Sequence, residues 1–109
     1  MRALILIAAI LSPLSLYARA ATRGEVRAFC ETIEDALEGS NGGYELNMRK
    51  CMNGHIVAIP ENGATTLEGV VQVSQPLSDT PEDQPWQCKL SYIGEAKADN
   101  VLSNSLACD

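Results

Sequence analysis

The sequence predicts an α+β fold in which one N-terminal helix packs across an antiparallel meander of four or five strands, with two disulfides. Three observations carry this expectation. Residues 22–37 repeat apolar side chains at helical spacing, the stretches after residue 43 switch to β-like runs punctuated by Asn-Gly pairs, and four cysteines stand in a short acidic chain. Helical and strand periodicities in succession, without alternation of the two, indicate helix on antiparallel sheet and not a parallel α/β arrangement.

In residues 22–37, Val26, Phe29, Cys30, Ile33 and Leu37 fall on one helical face, while Glu25, Arg27, Glu31, Glu34 and Asp35 take the other. Thr22 and Glu25 have the spacing of a capping box, and Gly39 follows Glu38 where a left-handed residue commonly ends a helix. An isolated amphipathic helix of this length is marginal in water, so its stripe must be covered by later elements.

Ser40-Asn41-Gly42-Gly43 is a loop by composition. Beyond it Tyr44, Leu46 and Met48 alternate with Glu45, Asn47 and Arg49, predicting a strand over residues 44–53. The same residues include good helix formers and Gly54 could stop a helix, so a second helix is the alternative. The β-branched runs 55–59 and 67–73 supply the next two strands, with Asn53-Gly54 and Asn62-Gly63 as two-residue turns. Such a first turn would set Met48 opposite Ile59 and Lys50 opposite Val57, placing Leu46, Met48, Val57 and Ile59 on the core face. Residues 75–85 hold three prolines with Asp79, Glu82 and Asp83 and read as an exposed loop. Trp86, Cys88, Leu90 and Tyr92 then alternate with polar residues as a half-buried strand, residues 94–100 turn the chain, and residues 101–108 form a last strand or short helix.

Residues 1–20 are set apart from this domain. Arg2, the apolar run 3–11, the Ser12-Pro13 break and Ala18-Arg19-Ala20 make a secretory signal peptide, with the single domain spanning residues 21–109. The apolar run is too short for a membrane span, and no later stretch is long enough. Export places all four cysteines, Cys30, Cys51, Cys88 and Cys108, in an oxidising compartment, secreted or periplasmic. Pairing Cys30 with Cys51 and Cys88 with Cys108 closes short loops between consecutive elements, and the two crossed pairings stay open.

After such a cut, six basic residues face all 14 acidic ones, a formal charge of −8. This disfavours nucleic acid and anionic membrane, which require a basic surface, and favours a cationic protein or peptide. No catalytic constellation is evident. His55 is the only histidine, no nucleophile elbow or phosphate loop occurs, and the cysteines are too widely spaced for redox or zinc pairs. Asp79, Glu82 and Asp83 lack the spacing of a calcium loop, so neither metal nor cofactor is expected. Trp86, either core or interface anchor, follows directly on the acidic loop.

The profile resembles, as a class, the small acidic disulfide-bridged periplasmic proteins that inhibit lysozymes, whose motifs the chain lacks. The functional expectation is therefore an exported non-enzymatic binding protein, with inhibition as one form. Its candidate site is Asp79, Glu82, Asp83 and Trp86, and its oligomeric state is open. The alternatives are a small secreted hydrolase using His55 with Glu61 or Ser74, and a structural subunit of an envelope assembly.

Overall fold

A computed structural model of the chain describes residues 18–40, 42–102 and 104–109. The chain runs β1 (Arg19–Ala20), α1 (Arg23–Glu38), β2 (Glu45–Leu46), α2 (Met48–Met52), β3 (Val57–Glu61), β4 (Ala64–Ser74), β5 (Gln84–Tyr92), a 3-10 turn (Ala98–Asn100) and β6 (Ala107–Cys108). The architecture is the expected α+β one: a main helix and a short one on a six-stranded antiparallel sheet. The signal peptide expected over residues 1–20 lies mostly outside the described residues, but its last two, Arg19 and Ala20, pair with Ala58 and Val57 of β3.

Helix α1 forms where the apolar spacing places it, and its capping box is complete. Glu25 N–H donates to Thr22 Oγ1 at 3.2 Å and Thr22 N–H donates to Glu25 Oε1 at 2.8 Å. Val26, Phe29, Cys30 and Ile33 are buried, as the stripe requires. Two details differ from expectation. Gly39 ends the helix in the right-handed region (φ −80°), its N–H bonding back to Asp35 O at 3.1 Å, so no left-handed residue is needed there. Glu25, assigned by spacing to the polar face, is 5% exposed, because the first turn of the helix lies against the end of β5.

The strand expected over residues 44–53 is replaced by the two-residue β2 and the helix α2. Asn47 caps α2, its side chain accepting from Lys50 N–H at 3.1 Å. Asn53 follows with φ −98°, so Asn53-Gly54 ends a helix and is no hairpin turn. The proposed pairing of Met48 with Ile59 and Lys50 with Val57 is thereby overturned, and with it the parity of β3. Ile56 and Ala58 are buried while Val57 and Ile59 are half-exposed, the reverse of the expected set. A shift of one residue exchanges the two faces of a strand. Leu46 and Met48 still pack against the core, from β2 and α2.

The second Asn-Gly pair does turn a hairpin. Asn62 (φ 50°) and Gly63 (φ 82°) both take the left-handed conformation between Glu61 and Ala64, which face each other across β3 and β4. The eleven-residue β4 is the axis of the sheet. One edge pairs with β5 from Thr65 to Val73; the other is shared, with β3 along residues 64–68 and β2 at Val73 and Ser74. Between them Gly69 lies under Ile56, whose Cγ1 would stand 2.8 Å from any Cβ there, so the close crossing requires glycine.

Leu67, Val71 and Val73 from β4 and Cys88, Leu90 and Tyr92 from β5 meet the stripe of α1 in one core. Val70, expected at the heart of the second run, points to the opposite face and is largely exposed. The disulfides are Cys30–Cys51 and Cys88–Cys108. Because Cys51 is on α2, the first ties helix to helix and not helix to sheet; the second clasps β6 to β5.

Candidate functional site

The acidic loop joins β4 to β5 at one end of the sheet. Residues 75–82 are all exposed and Leu77 at its apex is 89% exposed, with Asp79, Thr80 and Glu82 following. Such a loop is positioned by its ends, and both are tied. Gln75 Nε2 donates to Gly42 O at 2.8 Å, and Ser78 N–H and Oγ close a turn onto Gln75 O at 3.0 and 2.9 Å. At the far end Asp83 accepts from Asn47 Nδ2 at 2.9 Å and from Lys50 Nζ at 3.1 Å. The Asn47 amide first, and then the Lys50 ammonium, hold the Asp83 carboxyl below its ordinary range.

Asp83 is therefore an anchor of the loop, whereas Asp79 and Glu82 are its free charges. Asn47 does two jobs, capping α2 with its oxygen and holding Asp83 with its nitrogen. Trp86 is half-buried behind the loop, its ring 5.3 Å from that of Tyr44 at an interplanar angle of 59°. The tilted pair floors a small cavity of about 100 Å³ lined by Gln75, Ser78, Thr80, Glu82, Tyr44 and Trp86, among others. The structure thus brings Glu82 and Trp86 to one cavity and turns Asp83 away into a structural contact. Tyr44 was missed from sequence as part of this group, since only its packing on Trp86 places it there.

The opposite end of the sheet carries a more strongly perturbed cluster that spacing could not reveal. Arg19 Nη1 and Nη2 donate to Glu25 Oε1 and Oε2 at 2.6 and 2.8 Å, a two-pronged ion pair. The Tyr92 hydroxyl donates to Glu25 Oε2 from 67 residues away in sequence. The Arg19 guanidinium, joined by the Tyr92 hydroxyl and the Thr22 N–H, outweighs burial and brings the Glu25 carboxyl from 4.5 down to about 2. Arg19 is raised in return, chiefly by its hydrogen bonds to Glu25, and burial followed by the hydrogen bond to Glu25 pushes the Tyr92 hydroxyl up. The only signal in the sequence was the capping-box glutamate itself.

A carboxyl whose folded value lies below its unfolded value adds stability above the unfolded value and loses it as pH falls toward the folded one. With Arg19 present, urea unfolding should therefore show stability falling between about pH 5 and pH 2, by up to about 3 kcal/mol from this group. Glu25→Gln, which keeps the capping pattern, should flatten that part of the profile. An unchanged slope in the variant would contradict the assignment.

His55 and the residues suggested as its partners lie apart along the strands. His55 is exposed just before β3 and Glu61 ends that strand, roughly 20 Å away at extended-chain rise. Ser74 lies five residues along β4 from Gly69, the residue beside the His55 carbonyl, or roughly 17 Å of strand. Among the described residues no group of three or more His, Cys, Asp or Glu is placed to hold a metal ion, and no helix is long and apolar enough to cross a membrane. The chain matches no family model, no curated protein and no solved structure.

Proposed function

We propose that the protein is an exported, non-enzymatic binding protein that offers its acidic β4–β5 loop to a cationic protein or peptide, inhibition being the form such binding takes when the partner's basic cleft is functional. The observation that carries this reading is the loop itself: nine residues fixed at both ends, with Leu77, Asp79 and Glu82 left facing solvent beside the Tyr44–Trp86 pair. Loops held on a rigid scaffold are common recognition elements, since the ordering they would otherwise undergo on binding has already happened. The charge balance supports a basic partner, and the two disulfides accord with an oxidising compartment.

A direct test immobilises the purified export product and exposes it to envelope extract of its own host at low and at high salt. The expected result is a basic partner released by salt and lost in Asp79→Asn/Glu82→Gln, with at least a tenfold fall in affinity. Asp83→Asn, which loosens the loop without removing its free charges, should weaken binding less. Binding that survives high salt and the double substitution would remove the loop from consideration.

A further inference from the structure

We infer that the Glu25–Tyr92 pocket is a binding site for an arginine carried by an extended segment, the arrangement that Arg19 shows in the uncut chain. This rests on the export reading above, in which the chain is cut after Ala20. The pocket is built for a guanidinium. Glu25 is 5% exposed, and each of its oxygens already accepts one internal hydrogen bond, Oε1 from Thr22 N–H at 2.8 Å and Oε2 from the Tyr92 hydroxyl. These fix the carboxylate plane, and the remaining acceptor positions face the fork of Arg19 at 2.6 and 2.8 Å. A planar fork meets both oxygens at once, which an ammonium cannot. Beside the ion pair lies a groove of about 400 Å³, lined by Arg19 and Glu25 together with Gly94, Ala96 and a second carboxylate, Glu95.

The backbone around the pocket defines the ligand further. Arg19 reaches Glu25 from a strand of two residues, antiparallel to Val57 and Ala58 at the edge of β3. Once the bond between Ala20 and Ala21 is hydrolysed, two residue pairs are too few to retain the leader. Ala21 stays in place through its own bond to Ile56 O at 2.8 Å. Cleavage thus takes the guanidinium from Glu25 and the short partner strand from Val57 and Ala58. A segment that adds to that edge with an arginine in the register of Arg19 satisfies both at once.

The test uses the exported protein and a capped tetrapeptide, acetyl-Ala-Ala-Arg-Ala-amide, with its lysine counterpart. Intact mass should place the N-terminus at Ala21. Titration followed by amide chemical shifts should then show saturable changes at Thr22, Glu25, Val57 and Gly94, with the arginine peptide bound at least fivefold more tightly than the lysine one. Glu25→Gln should weaken it at least tenfold, and Tyr92→Phe, which keeps the ring in the core, by a smaller factor. A mass that retains Arg19 overturns the inference while leaving the acidic-loop reading intact. Equal binding of the two peptides, equal binding by Glu25→Gln, or no saturable shift because the Ala21 ammonium closes on Glu25 overturns it as well. Failure of the loop variants to affect partner capture would instead count against the loop and leave arginine binding untouched.

Discussion

Replacing Cys30 and Cys51 together by alanine should lower the melting temperature by about 15–20 °C, while replacing Cys88 and Cys108 should lower it by less than half as much. The two bridges close loops of nearly equal size, with sequence separations of 21 and 20, so chain entropy alone assigns each about 3 kcal/mol. Their surroundings differ. Cys30 and Cys51 are both at most 1% exposed and sit inside the core between α1 and α2, so their loss adds unfilled space to the entropic effect. Cys88 is equally buried, but Cys108 is half-exposed on a strand of only two residues. Without its bridge that segment can detach from β5 while the core stays folded, which limits the global cost. Calorimetry of both variants, with amide exchange along β6, checks this. Equal losses of melting temperature would show that β6 is cooperative with the core.

Phe29→Ala should cost about 3–5 kcal/mol, the largest single-residue effect expected in the molecule. Phe29 is the only phenylalanine, is fully buried, and belongs to the core cluster that also holds Leu67, Val71 and Leu90. A domain of this size has only about 5–15 kcal/mol of net stability, so the variant should be partly unfolded at 37 °C and should show a lower urea midpoint with little change of slope. Phe29→Leu, which keeps most of the volume, should cost roughly a third as much. Comparable losses for the two substitutions would mean that ring geometry, and not filled volume, dominates at this position.

Phe29 was legible in the sequence because an amphipathic helix states its buried face in its spacing. Local chemistry also disclosed the Asn62-Gly63 hairpin, the alternating β5 and the exposed loop. Those elements are determined within a few residues of themselves. What stayed hidden depended on distant partners. Asn53-Gly54 has the same composition as the hairpin pair, yet it ends α2, because Asn47 offers a cap and Cys51 must reach Cys30. The parity of β3 followed from that misread turn. The loop's position could be read, but not that Asp83 is held by Asn47 and Lys50, nor that Tyr44 backs Trp86. Glu25 and Tyr92 are joined only by the packing of α1 on β5, and Arg19 was set aside with the expected signal peptide.

The sequence of β3 sets how much of its outer margin another strand could pair with. Pro60 lacks the amide proton that an incoming ribbon would need, and Glu61 adds charge beside it, so the outer margin of that strand is spoiled as a template over the portion nearest the hairpin. The remaining stretch, Val57 and Ala58, is covered by Arg19 and Ala20 and is a footprint far shorter than the six or seven residues that stack into fibrils. Pro60→Val would lengthen that footprint, and the altered domain should begin to form thioflavin-positive aggregates at concentrations where the parent stays dispersed.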